Sequence, residues 1–147
     1  MTSLATPFLE YHRKAGAKLI EFAGFQMPVS YAGIVSEIRA VRTGVGVFDV
    51  SHMGEFEIRG KDAESFVDQL VTNRIQGIDV GQVVYTPMCL PDGGIVDDLL
   101  VYRFEDRYML VVNAANLATD WAWVQAQAKD FDVRLENVSD RTAQLAV

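Results

Sequence analysis

Hydrophobic and polar positions follow regular patterns over the middle of the chain. Residues 54–59 alternate with the period of two that is typical of a half-buried strand. Asp62 is followed by apolar residues on one side of a predicted helix, and a second helix is predicted over 118–129. Apolar runs predict four further strands, at 83–90, 95–104, 108–113 and 133–137. From residue 53 onward this order, β-α-β-β-β-α-β, predicts an α+β fold with helices packed on an antiparallel-rich sheet.

The first third of the chain is less regular. Thr6 and Pro7 are typical of a helix start, and Gly16 of a helix end. Later segments are predicted as a strand at 18–22, a loop containing Gly24, Pro28 and Gly33, an amphipathic helix at 34–42 and a strand at 45–50.

The last residues, 142–147, alternate and then become apolar, as in a strand that enters a hydrophobic core. Domains usually end in exposed polar segments. The pattern therefore predicts that a longer protein has been cut at this point.

Composition narrows the classes of function. The 147 residues are 50% hydrophobic and 22% charged, as in a globular protein. A net charge of −7 repels phosphate backbones and disfavours nucleic-acid binding. Cys89, the one cysteine, excludes an internal disulfide, and with His12 and His52 it does not match a zinc site, so we expect no metal. Residues 1–7 resemble no targeting signal and no apolar window predicts a membrane span, so we expect a cytoplasmic protein.

Asp97 and Asp98 lie in a run that is apolar on both faces of the predicted strand. Each face therefore carries one carboxylate, and a buried carboxylate is costly unless it is paired. One interpretation is a functional site, with Asp98 beside Tyr102 on the face that binds a flat ligand and Asp97 on a structural face. The alternative is that both carboxylates lie at the wet start of the strand and accept hydrogen bonds from the amides of Gly93 and Gly94.

Asn113 and Asn116 lie between the fourth predicted strand of this region and the helix that follows. Asn116 is in the position of a helix N-cap. Asn113 is left as an amide at a strand end, where ligands often meet sheets.

Six segments together resemble a known family. They are Thr6-Pro7-Phe8-Leu9, Ala23-Gly24-Phe25-Gln26-Met27-Pro28, Ala40-Val41-Arg42, Val47-Phe48-Asp49-Val50-Ser51-His52-Met53, Asp92-Gly93-Gly94-Ile95-Val96-Asp97-Asp98-Leu99 and Val111-Val112-Asn113-Ala114-Ala115-Asn116. In this order they are similar to the N-terminal part of the T-protein family of the glycine cleavage system, the tetrahydrofolate-dependent aminomethyltransferases.

The resemblance implies a folate-binding aminomethyltransferase-like fold that is truncated here. Residues 1–52 correspond to the first segment of a split folate-binding domain, residues 53–137 to a second α+β domain, and residues 138–147 to the start of the return into the first. A third domain, a pterin-binding glutamate and a catalytically important arginine belong to the part of the family that follows.

The resemblance also assigns residues. Asp98 matches the essential aspartate of the family and is therefore the predicted catalytic residue. Asp98 is also a predicted tetrahydrofolate-binding residue, together with Met53, Tyr85, Leu100, Tyr102 and Asn113. The implied donor is the aminomethyl group on the lipoyl arm of the H-protein. Asp98 then either stabilises a cationic iminium or holds or deprotonates a folate nitrogen.

Three alternatives remain open from the residues alone. The first is another folate-dependent one-carbon enzyme, such as a demethylase or a dimethylglycine-oxidase-type domain. The second is a folate-binding iron–sulfur assembly protein without transferase activity, which the presence of Asp98 disfavours. The third is an acidic α+β domain with no activity.

Overall fold

A computed structural model describes residues 3–147, which divide into two compact units. The first unit contains the described residues up to His52 together with Ala143–Val147, and the second is Met53–Thr142. Residues 1 and 2, part of the stretch in which we expect no targeting signal, lie outside the described residues. Within residues 3–147 no helix has the length and apolar character needed to cross a membrane.

The elements are numbered along the chain. They are β1 (Leu4–Ala5), α1 (Leu9–Lys14), β2 (Lys18–Phe22), β3 (Phe25–Ser30), α2 (Ile34–Thr43), β4 (Phe48–Asp49), β5 (Gly54–Arg59), α3 (Ala63–Leu70), β6 (Val83–Cys89), β7 (Ile95–Arg103), β8 (Tyr108–Val112), α4 (Leu117–Gln127), β9 (Arg134–Asn137) and β10 (Leu145–Ala146). Short 3-10 turns occupy Ala114–Asn116, Ala128–Asp130 and Ser139–Arg141.

The first unit contains a three-stranded sheet in the order β1-β3-β2 and a two-stranded antiparallel sheet of β4 and β10. The predicted loop around Pro28 is wrong, because β3 runs through it. β1 pairs only with Phe25 and Gln26, so β3 has a single neighbouring strand at Pro28. A proline without an N–H is tolerated where one side of a strand is unpaired.

The start of α1 also differs from the prediction. The helix begins at Leu9, and the Thr6 hydroxyl donates a hydrogen bond to Asp49 Oδ2 at 2.6 Å instead of capping the helix. The same carboxylate lies 2.8 Å from His12 Nε2, and the opposite ring nitrogen of His12 lies 2.8 Å from the Tyr31 hydroxyl. Burial raises the pKa of Asp49, but hydrogen bonds from His12, Thr6 and Ser51 bring this pKa below its ordinary value. Asp49 therefore joins β4 to α1 within the first unit.

The second unit is a five-stranded antiparallel sheet in the order β6-β7-β8-β5-β9. The predicted order β-α-β-β-β-α-β and the α+β class are confirmed. Side chains of α3 and α4 pack with one face of the sheet in a single hydrophobic core. Its largest fully buried apolar residues include Phe56, Ile58, Phe66, Leu99 and Leu110.

Strand register separates the two faces of this sheet. Leu99 and Val101 on β7 point into the core, so the alternate residues Asp98, Leu100 and Tyr102 lie on the opposite face. β7 is flanked by β6 and β8, as expected for a strand that is apolar on both faces. This register places the predicted site residues of β7 on the face that α3 and α4 do not cover.

The second unit extends five residues beyond the predicted boundary at 137. Val138 donates its backbone N–H to the carbonyl oxygen of Glu55 at 2.9 Å, and the Glu55 N–H donates to Ser139 Oγ at 2.9 Å. These bonds attach residues 138–142 to β5, and the chain rejoins the first unit only from Ala143.

Candidate functional site

Tyr85 and Asp98 meet on the uncovered face of the second unit. Tyr85 on β6 pairs with Leu100 on β7, and its hydroxyl donates a hydrogen bond to Asp98 Oδ2 at 2.7 Å. The hydrogen bond to Asp98 and the charge of this carboxylate raise the pKa of the Tyr85 phenol. Tyr85 is 62% exposed and Asp98 is exposed as well, so a carboxylate beside an aromatic ring is accessible from solvent.

Asn113 follows β8 and bridges the two neighbouring aspartates. Its side-chain Nδ2 donates to the backbone oxygen of Asp98 at 3.0 Å and to Asp97 Oδ1 at 3.0 Å. Nδ2 also lies 3.4 Å from Asp98 Oδ1. An amide placed between two carboxylates in this way fixes the backbone that carries Asp98.

Asp97 is buried, with 4% of its surface exposed, on the core face of β7. It accepts hydrogen bonds from Asn113 Nδ2 at 3.0 Å, the Asn113 backbone N–H at 3.2 Å and Asn116 Nδ2 at 2.8 Å. Burial raises the pKa of Asp97, but the hydrogen bonds, led by that from Asn113, bring it below the ordinary value. Asp97 is therefore an ionised carboxylate solvated by amides.

The expectation that Gly93 and Gly94 solvate the two aspartates is wrong, since the Gly94 N–H donates to Asp92. Asn116 does occupy the position before α4, but its side chain makes no capping bond. Its Nδ2 donates to Asp97 Oδ1 at 2.8 Å. The predicted structural role of Asp97 stays a prediction, and the structure adds one contact to it. Asp97 shares Asn113 with Asp98, so the two carboxylates are linked across the strand.

The remaining predicted site residues lie around this group. Leu100 and Tyr102 are half-buried on the same face as Asp98, and the Tyr102 ring stacks on Phe104 with centroids 6.4 Å apart. Met53 is half-buried and precedes Gly54, whose partner in β8 is Val112, the residue before Asn113. Hydrogen bonds thus join Tyr85, Asp98 and Asn113, whereas Leu100, Tyr102 and Met53 are placed near them by register alone.

Two buried carboxyl groups, those of Asp120 and Glu55, were not predicted from the sequence. Asp120 on α4 has no exposed surface, and burial together with Asp97 raises its pKa to about 8. Glu55 on β5 is 1% exposed, and burial raises its pKa to about 7. The burial of Asp120 was predictable from its position in the sequence. It lies three residues after Leu117 and four before Val124, on the apolar stripe of its helix.

The chemistry available at the exposed face of the sheet follows from the Asp98 carboxylate and the Tyr85 ring. A fixed carboxylate accepts hydrogen bonds from N–H groups and stabilises a nearby positive charge, and the neighbouring aromatic ring offers a flat apolar wall. Across residues 3–147, no three His, Cys, Asp or Glu side chains are grouped so as to hold a metal ion. The arrangement suits a planar, nitrogen-rich organic ligand.

Comparison with known proteins gives consistent matches. A family model described as the GCVT N-terminal domain matches residues 8–147. An aminomethyltransferase of Desulfitobacterium hafniense (strain Y51) is 55% identical over 149 residues, which cover 100% of this chain and 41% of the relative. An aminomethyltransferase of Thermotoga maritima is 48% identical over 142 residues, 96% of this chain and 39% of the relative. The chain thus spans about two fifths of the length of these curated relatives.

Among solved structures, the glycine cleavage system aminomethyltransferase T from Bartonella henselae superposes with a TM-score of 0.86 at 34% identity. The match covers 92% of this chain and 38% of that structure. Fold and sequence both confirm the resemblance to T-proteins. Because the family model covers residues 8–147, the chain belongs to the family of the GCVT N-terminal domain.

Proposed function

We propose that this chain is part of an aminomethyltransferase of the glycine cleavage system. In that reaction an aminomethyl group on the lipoyl arm of the H-protein loses ammonia, and its carbon passes to tetrahydrofolate, which becomes methylenetetrahydrofolate. The observation that carries the proposal is the hydrogen-bonded group of Tyr85, Asp98 and Asn113 on the exposed face of the five-stranded sheet. The names of the relatives and of the Bartonella henselae structure support the same reaction.

Asp98 is the proposed catalytic residue. Its carboxylate is held by the Tyr85 hydroxyl from one side, and its backbone is held by Asn113. A carboxylate that is oriented before the substrate arrives stabilises positive charge on the transferred carbon without reorganising. The same carboxylate accepts a hydrogen bond from a folate N–H and so aligns the nucleophilic nitrogen.

Tyr85, Leu100, Tyr102, Met53 and Asn113 are the proposed walls of the folate site. Tyr85, Leu100 and Tyr102 offer aromatic and aliphatic surface on the face that Asp98 occupies. Flat apolar surface next to one carboxylate is the combination that a pterin ring requires. The proposed partner is the lipoylated H-protein, and the proposed location is the cytoplasm.

Isothermal titration calorimetry with tetrahydrofolate under reducing conditions tests the site. Tyr85→Phe removes the hydroxyl that orients Asp98 and keeps the ring, so we expect an affinity loss of about tenfold, the scale of one hydrogen bond to a charged group. Tyr11→Phe is the matched control, because Tyr11 is similarly exposed, at 69%, and lies in the first unit.

The outcomes separate the alternatives. Equal affinities for tetrahydrofolate in wild type, Tyr85→Phe and Asp98→Asn would refute the proposed tetrahydrofolate site. Tetrahydrofolate binding without formation of methylenetetrahydrofolate from loaded H-protein, in the polypeptide that carries this chain, would favour a different one-carbon donor. Absence of tetrahydrofolate binding would overturn the proposed function.

A further inference from the structure

The short segment that follows α3 lies along the outer edge of β6. Val71 forms an antiparallel bridge with Met88, and the Thr72 N–H donates a hydrogen bond to the carbonyl oxygen of Pro87 at 3.0 Å. β6 is the last strand of the five-stranded sheet on this side, with β7 as its neighbouring strand. β6 is therefore held by β7 on one side and by residues 71–73 on the other.

Asn73 ends this contact with two hydrogen bonds to β6. Its backbone N–H donates to Thr86 Oγ1 at 3.0 Å, and its side-chain Nδ2 donates to the carbonyl oxygen of Tyr85 at 2.9 Å. Thr86 is completely buried on the core face, and Tyr85 lies on the uncovered face. Asn73 thus binds two consecutive residues of β6 whose side chains point to opposite faces of the sheet.

The Tyr85 carbonyl points away from β7. In an antiparallel strand the N–H and C=O of one residue point to the same side of the strand. Tyr85 is paired with Leu100 of β7, but its carbonyl oxygen accepts from Asn73 on the opposite edge. Two residues further on, the Pro87 carbonyl accepts from Thr72 on the same edge, as this alternation requires. The backbone of Tyr85 is therefore held from outside the sheet, by the Asn73 amide.

The position of this backbone matters because little else fixes the Tyr85 ring. The ring is 62% exposed, so packing contributes little to its orientation. Its hydroxyl donates to Asp98 Oδ2 at 2.7 Å. A displacement of β6 by about 1 Å would lengthen this contact beyond the range of a hydrogen bond between two oxygen atoms.

We propose that Asn73 is a positioning residue, which holds β6 so that the Tyr85 hydroxyl remains on Asp98 and thereby increases the affinity for tetrahydrofolate. Asn73 acts through the backbone of Tyr85 and not through a contact with the ligand. This inference rests on the proposed function for the identity of the ligand.

Four variants are compared with wild type. Asn73→Ala removes the side-chain amide but keeps the backbone N–H that donates to Thr86, so the contact at the edge of the sheet is preserved. Asn73→Leu removes the same donor and keeps most of the side-chain volume. Gln76→Ala is the matched control, because Gln76 is also an exposed amide and its side chain makes no hydrogen bond within residues 3–147. Tyr85→Phe and its combination with Asn73→Ala complete a double-mutant cycle.

The first measurement is the tetrahydrofolate dissociation constant, by calorimetry under reducing conditions. Tyr85→Phe should bind about tenfold more weakly, the scale of one hydrogen bond to a charged group. Asn73→Ala and Asn73→Leu should lose about fivefold, because they weaken the Tyr85–Asp98 bond without removing the hydroxyl. In the Tyr85→Phe background Asn73→Ala should cause no further loss, and Gln76→Ala should match wild type.

The second measurement is the pKa of the Tyr85 phenol without any ligand, followed by NMR with isotope-labelled tyrosine. The hydrogen bond to Asp98 and the charge of this carboxylate raise this pKa above its ordinary value. In Asn73→Ala and Asn73→Leu the pKa should move back toward the ordinary value, whereas in Gln76→Ala it should not change. A role of Asn73 in stability alone would leave the pKa of the folded protein unchanged.

Three results would overturn the inference. They are an unchanged Tyr85 pKa in both Asn73 variants, affinity losses of Asn73→Ala and Tyr85→Phe that multiply in the double variant, and failure of both Asn73 variants to fold. Absence of tetrahydrofolate binding in wild type would instead refute the proposed function. The pKa of Tyr85 would then still decide whether Asn73 positions the tyrosine on Asp98.

Discussion

Replacement of Glu55 by glutamine should stabilise the second unit in a pH-dependent way. Glu55 is 1% exposed, and neither of its carboxyl oxygens has a hydrogen-bond partner within residues 3–147. Burial raises its pKa from 4.5 to about 7. The folded state therefore binds the proton of the Glu55 carboxyl group more tightly than the unfolded state does. The contribution of Glu55 to stability is fully present below pH 4.5 and is lost as the pH rises through about 7.

The size of the effect follows from the pKa difference. A rise from 4.5 to about 7 corresponds to a loss of about 3 kcal/mol between acidic and alkaline pH. Glutamine keeps the shape of the protonated acid and does not ionise. The free energy of unfolding of Glu55→Gln relative to wild type should therefore increase by about 3 kcal/mol between pH 4 and pH 8.5.

Urea unfolding followed by tryptophan fluorescence measures this difference. Trp121 and Trp123 both lie on α4, so the signal reports the unit that contains Glu55. Comparison of variant and wild type at the same pH cancels the titration of the other carboxyl groups. Glu105→Gln is the control, because Glu105 is exposed, and it should show no pH-dependent difference. A Glu55→Gln difference that is the same at both pH values would refute the reasoning.

Three further predictions follow from the geometry. In the polypeptide that carries this chain, Asp98→Asn should lower turnover with loaded H-protein about 100-fold or more while thermal stability is preserved, and unchanged turnover would refute the catalytic role. Gly60→Ala should destabilise the second unit by about 2–4 kcal/mol in urea unfolding, because the added Cβ would lie 2.3 Å from the Asp132 carbonyl oxygen at a φ of +125°. Gly77→Ala should lose less stability, because a Cβ added at Gly77 has no atom within 4 Å, and equal losses of stability in the two variants would refute the steric argument. The apolar side chains of α2 that remain exposed, Ile34, Val35, Ile38 and Val41, should promote self-association in light scattering, and a monomer at all concentrations would contradict this.

The second unit was predictable because its elements carry strong periodicity. The alternation over 54–59 predicts the bounds of β5 and the burial of Phe56 and Ile58, but not the burial of Glu55 on the other face. The apolar residues on one side of α3 are the ones that the core buries, among them Phe66, Val67 and Leu70. The apolar residues of β5 and of α3 lie on one face of each element, and this face packs in the core. The hydrophobic pattern therefore predicts which of these residues are buried.

The first unit was less predictable because local signals compete with tertiary pairing. Pro28 and the flanking glycines favour a loop, yet pairing with β2 extends the chain into β3. Thr6 is a suitable helix cap, but a buried carboxylate at Asp49 binds its hydroxyl instead. Such contacts join residues 43 positions apart, and no local window contains them.

The candidate site was predictable only in part. Alternation along β7 placed Asp98 and Tyr102 on one face, as the structure has them, whereas Tyr85 came from the family resemblance. The burial of Asp120 depends on the packing of α4 against β7, which a single sequence does not reveal.

The most direct test of the account is an NMR map of tetrahydrofolate binding to this chain. Backbone and side-chain amide frequencies of the second unit are followed during titration with tetrahydrofolate. We predict the largest changes at Tyr85, Asp98 and Asn113, smaller changes at Leu100 and Tyr102, and the loss of all of these changes in Asp98→Asn. Saturable changes confined to other residues, or the same changes in Asp98→Asn, would contradict the central claim that this face of the sheet binds folate through Asp98.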